Sequence, residues 1–251
     1  MARLDQIVSF LAQELRSAEI PDYSGAHNGL QLQNGGQVTK VASAVDASLP
    51  VFEKVIKSGA DLLVVHHGMF WQSGRAITGP AYRKLKMAMD AGLAVYSSHI
   101  PLDIHARLGN NVLLMQALEL GEGSPFFDWK GILLGRRGHF PGKLRELVNR
   151  LESVLGGKVH VRGDLEKSAG VVGLITGGAG SEVEAMAAAG IETFITGEGP
   201  HWSDPLAEEL EMNLIFGGHY ATETLGVQAL GLLISQKFGV PHEFIDHPTG
   251  L

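Results

Sequence analysis

Residues 62–68, with the sequence LLVVHHG, decide how the rest of this 251-residue chain is interpreted. Four apolar residues ending in two valines predict a strand buried on both faces of a sheet. Two histidines and a glycine follow, at the strand's C-terminal end, which is the edge where open α/β sheets bind ligands. Because adjacent strand residues face opposite ways, His66 and His67 can serve one site only if the chain leaves strand geometry, which Gly68 permits. The alternative is one histidine hydrogen-bonded in the core and one exposed.

Composition limits the classes of site and partner. The net charge of -7 disfavours a broad phosphate-binding surface, so nucleic acid is not an expected partner. The chain has no cysteine, so a metal site must use nitrogen or oxygen ligands. Residues 1–17 carry apolar side chains at helical spacing and predict an amphipathic helix rather than a signal peptide. No apolar run approaches the ~20 residues that span a bilayer, so we expect a cytoplasmic protein without a membrane partner.

Alternating strand and helix patterns predict an α/β fold along the whole chain. The helical patterns end in glycine, as at Gly59, which we expect to be a left-handed cap. Pro141 is expected near the start of a helix, because proline suits the first helical turn. The predicted strands include residues 38–45, 62–65, 93–97, 171–176, 194–196 and 214–216.

Side chains that bind metals or carry protons follow several of these predicted strands. Residues four apart return to the same face of a helix, so Glu223 is expected beside His219 if a helix begins there. The glycine-rich turn at residues 177–180 could hold a phosphate at a helix N-terminus, but its spacing matches neither the Walker A nor the dinucleotide pattern, and a plain turn stays open. The residues at strand ends are His66, His67, His99, Asp103, Glu198, His219 and Glu223.

Two segments of the chain align at a fixed offset. Residues 41–68 align without gaps over residues 172–199, and the glycines that end their helices and turns coincide. This overlay pairs His67 with Glu198. Glu198 is therefore expected at the rim of any site that His67 serves.

A second overlay, offset by 120, supports the same interpretation. It places the H-x-x-x-D motif that begins at His99 over the H-x-x-x-E motif that begins at His219. Ligand-type residues thus coincide at corresponding strand ends. We predict two related α/β lobes, with an approximate boundary between residues 1–125 and 126–251, and a site in the cleft between them.

The number of candidate ligands predicts two metal ions. A single tetrahedral catalytic ion uses about three protein ligands and a water, whereas six candidates are available here. Carboxylates can bridge or anchor two ions ~3.5–4 Å apart, as in two-metal hydrolytic sites. Imidazole with carboxylate suits Zn, Mn, Fe, Co or Ni without choosing among them. The alternative is that these histidines cap helices and satisfy buried polar groups. The six candidates are His66, His67, His99, Asp103, His219 and Glu223.

At these residues the chain resembles a known family, the Nif-three-like proteins, also called GTP cyclohydrolase I type 2 homologues or dinuclear metal-centre hexamers. The two-histidine and GHYATE segments are specific to it. The resemblance implies two related α/β lobes and a toroidal homohexamer. It implies metal ligands at His66, His67, Asp103, His219 and Glu223, with His99 lining the centre. The matching segments are NGLQL (28–32), GADLLVVHHGMFW (59–71), AVYSSHIPLD (94–103), GGAGS (177–181), ITGE (195–198) and GGHYATET (217–224).

The expected function is metal-dependent hydrolysis of a nucleotide-like or other small substrate. Two divalent transition-metal ions per chain would activate a water, so no separate nucleophilic side chain is needed. The GTP cyclohydrolase reaction, which the family name implies, needs water to attack C8 of the purine and release formate, with His99 or Glu198 as catalytic proton carriers. The alternative is a non-catalytic metal-binding hexameric scaffold that binds a protein or regulatory partner. The sequence does not separate the two.

Overall fold

A computed structural model describes residues 1–71 and 76–251 and confirms the predicted α/β fold. None of the described helices is long and apolar enough to cross a membrane. The strands are β1 (Ala2–Arg3), β2 (Gly29–Leu32), β3 (Gln37–Val38), β4 (Val41–Asp46), β5 (Leu62–His67), β6 (Ala94–Ser97), β7 (Ser124–Trp129), β8 (Ile132–Lys143), β9 (His160–Arg162), β10 (Ser168–Leu174), β11 (Thr193–Thr196), β12 (Asn213–Phe216) and β13 (His242–Phe244). The helices are α1 (Leu4–Leu15), α2 (Leu49–Ser58), α3 (Gly79–Asp90), α4 (Ile100–Asp103), α5 (Asn110–Ala117), α6 (Leu144–Leu155), α7 (Val183–Ala188), α8 (Ser203–Glu209), α9 (His219–Thr222) and α10 (Thr224–Phe238), with a 3₁₀ turn at Gly180–Glu182.

Contacts divide the chain into two compact units, and each is made of two segments. The first unit comprises Met1–Leu102 and Gly226–His247, and the second comprises Asp103–Leu225 and Pro248–Leu251. The units are therefore discontinuous in sequence, whereas the lobes expected from the sequence were continuous. The relatedness of the two lobes stays a prediction.

The sheet of the first unit brings its strand ends to one edge. Its order is β13-β4-β5-β6-β2, and β13, β4, β5 and β6 are parallel. All four apolar residues of β5, from Leu62 to Val65, are fully buried, as expected for a central strand. Helix α2 packs Val51, Phe52 and Val55 into the core. It ends at Gly59, which has the predicted left-handed conformation with φ 76°.

The second unit has a mixed six-stranded sheet in the order β7-β8-β10-β11-β12-β9. Only β10, β11 and β12 are parallel, and β7, β8 and β9 extend the sheet by antiparallel pairing. Helix α6 buries Leu144, Leu147 and Leu151. These side chains share a core with residues of β10, β11 and β12. The three parallel strands again end together, because parallel neighbours run in one direction.

The expectation for Pro141 was wrong. Pro141 lies in β8, and α6 begins only at Leu144. The register of β8 against β10 shifts between the pairs Phe140↔Gly170 and Lys143↔Ser168. Proline cannot donate to a ladder, so it is tolerated where an irregularity interrupts the pairing.

The C-terminal segment of the first unit is held by a close contact between α10 and β13. The ring of His242 packs against Gly231, and its Nε2 lies 2.8 Å from Oγ of Ser43. A Cβ atom added at Gly231 would lie 2.1 Å from that Nε2. Glycine is thus required in the middle of a helix, where it would otherwise be unfavourable.

We predict that Gly231→Ala lowers the free energy of unfolding by about 1–2 kcal/mol, because overpacking of the His242 ring outweighs the gain of ~1 kcal/mol in helix propensity. Urea unfolding followed by circular dichroism measures the change. The double variant Gly231→Ala/His242→Ala should recover stability relative to Gly231→Ala with His242 intact, since the clash is removed. Leu232→Ala, at a residue 47% exposed on the same helix, is the control and should change stability by less than ~0.5 kcal/mol. Stabilisation by Gly231→Ala alone would contradict the prediction.

Candidate metal centre

Three histidines of the first unit form one cluster. His66 and His67 end β5, and His99 immediately precedes α4. Their ring centroids lie 4.8 Å (His66–His67), 4.9 Å (His66–His99) and 5.6 Å (His67–His99) apart. One ligand nitrogen from each lies within 4.8 Å of the others. Both adjacent histidines therefore reach the same place, and the alternative of one core and one exposed histidine does not describe this arrangement. The expectation that the chain must leave strand geometry was wrong, because β5 continues through His67.

Each of these imidazoles is oriented by a hydrogen bond at Nδ1. His66 donates to the carbonyl oxygen of Ser98 at 3.0 Å. His67 donates to Oδ1 of Asp46 at 2.8 Å. With the proton of the neutral ring on Nδ1, the lone pair that can bind a metal lies on Nε2. Metal-binding histidines almost always have such a carboxylate or carbonyl partner at the other nitrogen.

Asp22 gives His99 the same kind of support. Its Oδ1 accepts the Nδ1–H of His99 at 2.8 Å, and its Oδ2 accepts from the side chain of Asn28 at 2.8 Å. Asn28 in turn accepts the backbone N–H of His99 through Oδ1 at 2.7 Å. Burial acts to raise the pKa of Asp22, but the hydrogen bond and charge of His99, together with the bonds from Asn28 and the N–H of Tyr23, outweigh it and lower the pKa. The carboxylate therefore stays ionised and fixes the ring of His99.

In the second unit, His219 lies between two carboxylates. Its Nδ1 donates to Oε1 of Glu198 at 2.8 Å, and its Nε2 lies 3.3 Å from Oε2 of Glu223. Burial acts to lower the pKa of His219, but hydrogen bonds and charges from Glu223 and Glu198 raise it to about 9. The metal-free ring is therefore protonated at neutral pH and would have to lose a proton to bind an ion. The i,i+4 pairing of His219 with Glu223 is the one expected from their spacing.

Asp103 is the other carboxylate candidate of the second unit, and it is buried. Its Oδ1 accepts a hydrogen bond from the side chain of Asn110 at 2.8 Å and lies 3.4 Å from Oγ1 of Thr176. One oxygen of Asp103 lies within 4.8 Å of one oxygen of Glu223. Two buried carboxylates this close repel each other unless a cation or a proton lies nearby.

The glycine-rich turn at residues 177–180 passes close to Glu223, and at least two of its backbone N–H groups are hydrogen-bonded within the protein. The N–H of Gly177 donates to Oγ1 of Thr222, and that of Gly180 donates to the carbonyl oxygen of Glu198. Gly177 has φ 73°, and a Cβ there would lie 2.3 Å from Oε1 of Glu223. Glycine is needed at this position because the backbone passes so close to the carboxylate.

Sequence reasoning expected Glu198 beside the site, where it holds Nδ1 of His219, but did not identify the other residues that orient these side chains. Asp46 ends β4 beside His67, so the rule that polar residues at strand ends form sites could have found it. Asp22 lies in a loop 77 residues before His99, and Asn110 is separated from Asp103 by a turn. No local spacing signals those two partners.

Comparison with known proteins identifies the family. Residues 2–250 match the model of the family described as Duf34/NIF3 (NGG1p interacting factor 3). A protein of Deinococcus radiodurans named GTP cyclohydrolase 1 type 2 homolog is 41% identical over 98% of this chain and 94% of its own length. One of the same name from Pyrococcus horikoshii is 39% identical over 98% of this chain and 99% of its own. A crystal structure of a protein from Thermus thermophilus superposes with a TM-score of 0.88 at 33% identity and covers 100% of both chains. The resemblance found in the sequence is thus confirmed, and the chain belongs to the Duf34/NIF3 family.

Proposed function

We propose that this chain is a dinuclear metal-dependent hydrolase that acts on a nucleotide-like or other small substrate. The observation that carries the proposal is that four imidazoles are held in the same way. The Nδ1 atom of each donates to a carboxylate or carbonyl oxygen. Histidines that only satisfy buried polar groups have no reason to be held at the same ring nitrogen four times. The name of the curated relatives, GTP cyclohydrolase 1 type 2 homolog, supports a nucleotide-like substrate.

The donor set fits divalent transition metals. Imidazole nitrogens and carboxylate oxygens are ligands for Zn, Mn, Fe, Co or Ni, and the chain offers no thiolate. The number of donors exceeds what one tetrahedral ion uses, which supports two ions per chain. The proposed ligands are His66, His67, Asp103, His219 and Glu223.

Two bound ions would lower the pKa of a shared water toward ~7 and stabilise developing negative charge. The chain's own residues would move the protons. Releasing C8 of a purine as formate takes two hydrolyses, one that opens the imidazole ring and one that cleaves the resulting formamide. Each requires removing a proton from the attacking water and delivering one to the departing nitrogen. We propose His99 and Glu198 for these transfers. The Nδ1 of His99 is held by Asp22, and the side chain of Glu198 is 47% exposed while one oxygen accepts from His219.

We predict close to two transition-metal ions per chain in metal-reconstituted protein, measured by elemental analysis. His66→Ala should lower the metal content, because one buried nitrogen donor is lost. Asp46→Asn should weaken metal affinity by about 10–100-fold, the usual effect of removing a partner that orients a ligand.

The matched controls lie outside the proposed ligand set. His139→Ala removes an exposed histidine of β8, and Asp90→Asn removes an exposed carboxylate of α3. Both should leave the metal content unchanged. A content of one ion or none per wild-type chain would contradict the proposal of a dinuclear site.

We predict hydrolytic turnover by the metal-loaded protein in a screen of nucleotides and phosphoesters, with formate release measured for GTP. Asp103→Ala should abolish it, because a buried carboxylate donor is removed, while Asp90→Ala should not. Protein that binds two ions yet turns over none of these compounds would favour the non-catalytic scaffold.

We also predict a closed homo-oligomer, most simply a homohexamer, on the basis of the family resemblance. Light scattering at micromolar concentration should then report six times the chain mass of 26.8 kDa. A monomer would contradict this. A cytoplasmic location stays a prediction as well.

A further inference from the structure

Two exposed aromatic side chains, Tyr23 and Trp71, lie beside the histidine cluster of the first unit, and Phe70 precedes Trp71 in the chain. Tyr23 is 54% exposed, Phe70 39% and Trp71 37%. Large aromatic rings usually bury most of their surface, so several exposed rings at one place mark a binding surface. The rings of Tyr23 and Trp71 contact the histidines, and we call these two residues the aromatic rim.

Both rings of the aromatic rim contact the same imidazole. The Trp71 centroid lies 4.9 Å from that of His99, with the ring planes at 87°, and 5.6 Å from that of His67. The Tyr23 centroid lies 5.8 Å from that of His99 at an angle of 42°. The aromatic rim therefore presents exposed ring surface directly beside His99.

The backbone that carries Trp71 is fixed by Gln31. Its Oε1 accepts the N–H of Met69 at 2.7 Å, and its Nε2 donates to the carbonyl oxygen of His27 at 2.8 Å. The amide lies so close to Gly68 that a Cβ there would be 2.2 Å from Nε2. Gln31 thus ties the segment after the two histidines to the neighbouring loop.

Tyr23 is fixed by the carboxylate that orients His99. Its backbone N–H donates to Oδ1 of Asp22 at 2.7 Å, the atom that also accepts from His99. One carboxylate therefore holds both the backbone of Tyr23 and the imidazole of His99 beside it. Because these hydrogen bonds are present before any ligand binds, less conformational entropy is lost on binding.

We propose that the aromatic rim binds the planar aromatic heterocycle of the substrate by stacking, beside the three histidines. The inference rests on the proposed function and specifies its substrate class, a nucleotide or another phosphorylated compound with an aromatic base. Aromatic faces stack on any nucleobase, and replacing one with an aliphatic side chain typically weakens binding by about 10-fold or more. The three histidines beside the aromatic rim suit a small polar substrate better than an apolar protein partner. Such a partner would bury their ring nitrogens against carbon.

The test compares two ligands that differ only in the base, GMP and ribose 5-phosphate. Calorimetry on the metal-loaded full chain should show tighter binding of GMP. Trp71→Leu should weaken GMP binding by about 10-fold and leave ribose 5-phosphate unchanged. Trp71→Phe should retain most of the affinity, because a ring remains. Trp202→Leu, at a residue 50% exposed in the second unit, is the matched control and should change neither.

Three outcomes would overturn the proposal: GMP binding no tighter than ribose 5-phosphate, equal weakening of both ligands by Trp71→Leu, or altered light scattering by that variant with unchanged GMP affinity. The last would assign the aromatic rim to contacts between copies of the chain. Metal content and turnover, measured on the same samples, report the proposed function separately. Indole offers no lone pair for a metal, so Trp71→Leu should keep its ions.

Discussion

Parallel pairing of β4, β5 and β6 is the constraint on which the first unit depends. Parallel strands must run in one direction, so Asp46, His67 and the segment after Ser97 reach the same edge of the sheet. Both faces of β5 are buried along its apolar run, and its polar side chains lie at its C-terminal end. The apolar run of β5 and the polar residues after it are therefore two consequences of one topology.

Burying the polar residues at this edge of the sheet costs free energy unless they are hydrogen-bonded. His66 is fully buried, and the side chain of Asp22 is only 7% exposed. A buried polar group without partners costs about 1–3 kcal/mol. Asp22 meets this cost by accepting from His99, Asn28 and the backbone of Tyr23 and Ile100. The same bonds fix which nitrogen of His99 carries its proton, so pairing and function share one network.

The two units use a carboxylate in the same way at matching positions. Asp61 accepts the N–H of Lys40 at 3.2 Å, and Glu192 accepts the N–H of Val171 at 2.6 Å. These positions are paired by the offset of 131, and each carboxylate accepts from the backbone N–H of the residue just before parallel pairing with the next strand begins. A glutamate reaches where an aspartate does because Gly170, before Val171, leaves room for its longer side chain. Common ancestry of the lobes stays a prediction, since unrelated α/β units also share turns and caps.

The sequence by itself determined the α/β class, the approximate positions of the parallel strands, and the histidines and carboxylates expected near their ends. Those features depend on short-range rules: periodicity within an element, glycine at a left-handed cap such as Gly59, and spacing of four residues within a helix turn. The pairing of His219 with Glu223 followed from such spacing alone. Only the tertiary structure decided which residues orient His66, His67 and His99, and that β13, near the far end of the chain, pairs with β4. The physical reason is that partners such as Asp22 and His99 meet through packing of separate segments, and no local pattern records that contact.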